Sequence, residues 1–188
     1  MTEGGQPTRF REPDELSWRD PVFVVCPRCG SRATVRATGR CAARLLCPSC
    51  TLAREWSGDR QHVLVAGRPV ALRRDHGYWL HPDTGQYLKD DEYELAEGRD
   101  GRFGVPLWLR TECCGGHLLW ANNEAHLDYL EGYVGATLRE RPDGPSGLAW
   151  YLPAWMKQAK HRDEVLHALG RLRTSLDEKA GKWTPPRT

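Results

Sequence analysis

No apolar run in this chain approaches the roughly 20 residues that a bilayer-spanning helix requires, so no membrane span is expected. The first seven residues, Met1 to Pro7, lack a basic stretch followed by an apolar one, so a secretory leader is not expected either. No Walker loop, dinucleotide fingerprint or HExxH sequence is present, which removes the commonest nucleotide-hydrolysing, dehydrogenase and metalloprotease readings. The net charge is only +2. The seven cysteines are an odd number, whereas a secreted disulfide framework favours an even one. A reducing cytoplasm and metal-bound thiolates are the expectation.

Eight Trp and six Tyr supply large buried areas within 188 residues, enough for one domain or a module of a larger assembly. Charge is unevenly spread. Residues 22–57 carry six Arg and one acid, a balance of +5; residues 58–156 sum to −5 and residues 157–188 to +4. A basic stretch and a basic tail thus flank an acidic middle. Two readings follow: the positive surfaces meet nucleic acid, or the basic stretch docks on the acidic middle of its own chain.

Cys26-Pro27-Arg28-Cys29-Gly30 and Cys47-Pro48-Ser49-Cys50 form two CPxC knuckles with seventeen residues between them. CxxC spacing lets two thiolates converge on one ion. Gly30 tolerates the positive φ expected after the second ligand. Seventeen residues suffice for two strands and a turn that return the second knuckle to the first. Four thiolates close a tetrahedral shell, so Cys26, Cys29, Cys47 and Cys50 predict one structural Zn2+ that holds the fold and does no chemistry. Iron in a rubredoxin-like site is the rival; a redox disulfide at either pair is the lesser one.

Around the knuckles, residues 22–25, 31–37, 40–46 and 51–56 read as short strands, with Thr38-Gly39 as a turn. Further strands are expected within 63–72, at 77–80, over 105–110 and over 118–121, the last two joined by Cys113-Cys114-Gly115-Gly116. His81 to Gly85 reads as a turn, and 89–100 as an exposed acidic segment. Leu127, Leu130, Val134 and Leu138 recur at helical spacing and predict a helix over 123–139 capped by Asn122 or Asn123. Pro153 suits the start of a short helix through Lys160, and 162–176 reads as the last helix. The expected fold is α+β: an N-terminal antiparallel zinc ribbon (21–58), a small middle β-sheet and two or three C-terminal helices (together 59–180). A loose arm (1–20) precedes it and a frayed tail (181–188) follows.

Residues 26–50 resemble the ribbons of transcription-factor-IIB-type proteins. Pro106 to Gly115, Leu119 to Asn123, Leu138 to Arg141 and Leu152 to Lys157 are similar to bacterial zinc-ribbon-containing proteins of unassigned function. The resemblance spans most of the chain and implies architecture and a bacterial source; it brings no activity with it.

Three further groups are candidates. Arg32 and Arg36 share strand parity, as do Arg40 and Arg44, so these four are the expected phosphate contacts of a basic ribbon face. Trp56 would seal the ribbon core. Cys113, Cys114, His117 and His126 could form a second metal or thiol site, although adjacent cysteines in extended backbone point apart. Otherwise these thiols pack as small hydrophobes. Cys41 is expected to be buried, and Trp79, Trp108, Trp120, Trp150 and Trp155 are expected in the core. The functional expectation is a nonenzymatic binding module contacting nucleic acid; the alternative is an adaptor that docks a protein partner. No small-molecule substrate is evident.

Overall fold

The computed structural model describes residues 9–10, 19–89, 91–95, 97–139 and 148–177. In chain order its elements are β1 (Arg9–Phe10), β2 (Val22–Val25), β3 (Arg32–Gly39), β4 (Ala42–Leu46), β5 (Ala53–Trp56), β6 (Arg60–Val65), β7 (Arg68–Asp75), β8 (Tyr78–Leu80), β9 (Tyr87–Leu88), β10 (Glu94–Leu95), β11 (Leu109–Cys113), β12 (His117–Ala121), α1 (Glu124–Gly135), β13 (Leu138–Arg139), α2 (Leu148–Tyr151) and α3 (Arg162–Asp177). Two 3-10 turns, Ala154–Lys157 and Ala159–His161, lie between the last two helices. The architecture is α+β with antiparallel sheets and helices near the C-terminus, as the sequence predicts.

The first sheet is the meander β2-β3-β4-β5. Alternation along its strands buries Val22, Val24, Ala33, Val35, Ala43 and Leu45 on one face, where Leu52, Val105 and Leu107 complete a small core. β2 is apolar at every position because both of its faces are covered: Phe23 and Val25 pack into the larger core beneath the helices. Its free edge is also taken. The Val25 N–H donates to Pro106 O (2.8 Å), the Trp108 N–H to Phe23 O (2.9 Å) and the Phe23 N–H to Asn122 O (2.7 Å). The ribbon is therefore fastened to the rest of the chain by apolar burial and backbone hydrogen bonds. Its Arg44 pairs with the ribbon's own Glu55 at 3.7 Å.

The middle sheet has the order β10-β6-β7-β8-β9. The apolar run within 63–72 folds as two strands. The turn between them, Ala66-Gly67, and the next one, His76-Gly77, are two-residue hairpin turns with φ positive at both positions (48° and 74°, 47° and 90°). The last hairpin, β11-β12, turns through Cys114-Gly115-Gly116, where φ is 53°, 81° and 98°. Its first strand runs 109–113, later than expected, while Pro106 and Leu107 make isolated bridges to Arg99 and Val24.

α1 and α3 pack through Leu127, Leu130, Val134, Val165, Ala168, Leu169 and Leu172, all buried. Asn123 caps α1, its side chain accepting from the His126 N–H (2.9 Å). The helix ends at Gly135, four residues before the expected end at 139, and Leu138 belongs to a strand pairing with Arg9–Phe10. Arg162 donates to the carbonyls of Val134 and Ala136, satisfying groups that the early stop exposes.

Other expectations also shift. The chain reverses at Arg40-Cys41; Thr38-Gly39 lies within β3, beside a register shift between Ala37 and Gly39. Cys41 is consequently exposed at a turn, not buried. Trp150 is 61% exposed because the four-residue α2 turns it outward. Asp100, expected on an exposed acidic segment, is buried, its Oδ1 accepting the N–H groups of Arg102 (3.1 Å) and Phe103 (2.9 Å). The region 153–160 forms 3-10 turns in place of an α-helix. Trp18, residues 140–147 and the tail 181–188 lie outside the described residues. No helix among the described residues is long and apolar enough to cross a membrane.

Candidate metal centre

The two knuckles have the same backbone. In each, the first cysteine's N–H bonds to the carbonyl five residues on, Cys26 to Ser31 (2.8 Å) and Cys47 to Leu52 (2.9 Å). The residue after each second cysteine has positive φ, 75° at Gly30 and 55° at Thr51. The sheet then brings the knuckles together. Cys26 Sγ lies 3.6 Å from Cys50 Sγ, and Cys29 Sγ lies 3.6 Å from Cys47 Sγ. All four sulfurs fall within 4.8 Å of one another. Sulfurs at those separations surround a point that a single ion can occupy. This is the one group of three or more metal-ligating side chains found among the described residues.

The thiols differ as acids. The Ser31 N–H turned toward the Cys29 sulfur brings that thiol down to about 6. Burial pushes Cys50 up to about 12 and also raises Cys47. The Arg28 N–H points at Cys26 Sγ from 3.4 Å. A metal binding here competes with protons at Cys47 and Cys50, so its hold strengthens as pH rises.

The four ribbon arginines are not gathered on one open face. Arg36 and Arg44 are register partners across β3 and β4, and both are exposed. Arg40 is exposed at the turn. Arg32 is turned inward: its Nη1 donates to Leu176 O (3.0 Å) at the end of α3, and its guanidinium sits over the Phe23 ring at 5.5 Å.

The second cluster is dispersed. Cys113 and Cys114 are buried, with Cys114 N–H bonded to Glu164, a partner from α3 that no local sequence signal marks. Burial pushes Cys113 up to about 12 and raises Cys114 as well. His117 is exposed and stacked on Trp155 with ring centroids 4.8 Å apart. His126 is buried within α1, its Nδ1 accepting from the Asn122 N–H (3.2 Å) and its ring edge-on to Trp120.

A feature that the sequence reading missed is a cavity of about 540 Å³ bordered by Trp56, Trp79, Trp120 and the loop 97–102. The tryptophans come from three separate sheets, so no local spacing announces it.

Comparison with protein-family models, with curated proteins and with solved structures found no match for this chain.

Proposed function

We propose that the protein is a nonenzymatic binding module whose ribbon is held by one Zn2+ on Cys26, Cys29, Cys47 and Cys50, and that the ribbon contacts nucleic acid. Four sulfurs converging from two CPxC knuckles suit the tetrahedral, all-thiolate preference of zinc and leave no open coordination position. Such a site suits a reducing, cytoplasmic setting. Burial raises the pKa of Cys113 and Cys114, so little of either is thiolate at neutral pH and both are poor nucleophiles, which supports a binding role over catalysis.

The observation that carries the nucleic-acid reading is the Arg36–Arg44 pair. Like charges directly opposite across a sheet destabilise it. Here two guanidinium groups are register partners, and Glu55 approaches Arg44 alone, at 3.7 Å. A phosphate backbone laid across the pair would relieve that repulsion. Arg40 at the adjoining turn and Arg28 on the first knuckle extend the basic surface. Arg32, committed to the end of α3, serves the fold in this reading.

The test is fluorescence anisotropy of the zinc-loaded protein with mixed-sequence DNA and RNA over a salt series. Arg36→Glu with Arg44→Glu should weaken binding and flatten the log–log salt slope by about two, roughly one for each phosphate no longer neutralised. An unchanged slope would sink the assignment. The second reading, a protein adaptor, rests on Trp150 and Tyr151, which are 61% and 71% exposed on α2. A nuclease-resistant complex that a Trp150→Ser, Tyr151→Ser variant fails to form would favour it.

A further inference from the structure

The cavity between the ribbon, the middle sheet and the β11-β12 hairpin has a composition that the metal centre does not explain. Trp56 reaches it from β5, Trp79 from β8 and Trp120 from β12. All three indoles are half-buried, packed against the neighbouring cores and bordering the cavity. Buried Val22 and Leu107 and exposed Leu95 also line it. Trp56 is the register partner of buried Ala43, while Arg44 pairs with Glu55 on the opposite face. The cavity is thus separated from the Arg36–Arg44 pair by the ribbon sheet itself.

One wall is the loop 97–102, and most of its polar groups are already committed. Arg99 Nη1 donates to Gly104 O (2.7 Å), and Asp100 Oδ1 accepts two backbone N–H groups. Glu97 is exposed to solvent. Arg102 differs: its Nη1 is buried with no hydrogen-bond acceptor. Its charge is balanced by buried Asp100, yet that nitrogen itself goes without an acceptor, and buried donors of this kind in folded proteins generally mark an acceptor supplied from elsewhere. Arg102 borders the cavity, which puts a cationic donor beside an acceptor bound there. A cage for an organic cation would need an uncommitted buried acid among the indoles, and the buried acid that borders the cavity, Asp100, is engaged by two backbone N–H groups and the Arg102 charge.

We propose that this cavity binds a nucleotide, with the base stacked among Trp56, Trp79 and Trp120 and the phosphate on Arg102. Indoles stack on any base and a guanidinium suits phosphate oxygens. A volume of about 540 Å³ lies within the range of small-molecule sites. The chemistry is shared by a free mononucleotide and by an unpaired nucleotide within a single strand. This goes beyond the ribbon reading and does not depend on it.

The test is isothermal titration of the zinc-loaded full chain with AMP and, separately, with a dT octamer, in the wild type, Arg102→Gln, Trp79→Leu and the Arg36→Glu, Arg44→Glu double variant. AMP should bind, and Arg102→Gln should weaken it about tenfold or more. Trp79→Leu should weaken it as well. Octamer binding that persists in the double variant and still depends on Arg102 would assign the site to a single strand; AMP binding without octamer binding would assign it to the free nucleotide. Octamer binding abolished in the double variant while AMP still binds through Arg102 would leave both sites standing, each on its own face. The proposal is overturned if neither ligand binds, or if binding is indifferent to both Arg102→Gln and Trp79→Leu. A ribbon reading that fails, with AMP binding intact, leaves the cavity assignment in place.

Discussion

Gly30 and Thr51 occupy equivalent positions, each following the second cysteine of its knuckle, and each has positive φ. Glycine meets that requirement without strain, and this was legible from the sequence. A β-branched residue there is an outlier. Left-handed backbone costs an L-residue about 1–2 kcal/mol, against about 0.5–1 kcal/mol for the extra freedom glycine gives the unfolded chain. Thr51→Gly should therefore stabilise the zinc-loaded protein by up to about 1 kcal/mol, despite losing the 2.7 Å hydrogen bond from Thr51 Oγ1 to Cys50 O. Thermal unfolding of the variant beside wild type decides it, and a lowered Tm would refute the strain argument. Thr51 itself could not be flagged from spacing, since nothing in its identity signals the conformation. Cys41 was misjudged for a related reason: placing it required knowing that the chain reverses at Arg40-Cys41, and neither residue is a strong turn former.

At the scale of the element, α1 shows which boundaries a sequence declares. Its start was readable because Asn123 is a good cap. Its end was not, because the apolar stripe continues to Leu138 while the chain leaves the helix at Gly135. What stabilises that stop is Arg162, distant in sequence, on the carbonyls of Val134 and Ala136. The hairpin at Ala66-Gly67 was similarly hidden inside one apolar run. The same helix buries His126, and burial brings its imidazole down to about 4. The folded form therefore refuses a proton that the unfolded chain accepts below about 6.5. His126 costs nothing above that pH. As pH falls from about 6.5 through about 4 it removes stability, on the order of 3 kcal/mol in all at about 1.36 kcal/mol per unit. NMR titration of the His126 ring should show a midpoint near 4. A midpoint at the ordinary imidazole value would mean that α1 does not enclose the ring.

On the scale of the whole molecule, the expected α+β fold, antiparallel sheets with helices near the C-terminus, matches the structure, but spacing is silent on how the parts join. The joining residues carry no motif. β2 shares its edge with Pro106 and Trp108, Phe23 and Val25 enter the helical core, and Arg32 and Trp108 bond to the last carbonyls of α3. The cavity was illegible for the same reason, since its walls meet only in the folded chain. This joining has a thermodynamic consequence. A small four-stranded sheet with one thin core would draw folding energy from a metal held by Cys26, Cys29, Cys47 and Cys50, and here β2 is also part of the larger core. Removing the metal should not release a loose ribbon from an unchanged body. Excess chelator should lower the Tm of the entire chain and raise amide exchange at Trp108 along with exchange at Val35 and Leu45, with one zinc released per chain. If exchange rises only within 22–56 while Trp108 and the helices keep their protection, the ribbon is an independent module and the coupling through β2 is wrong.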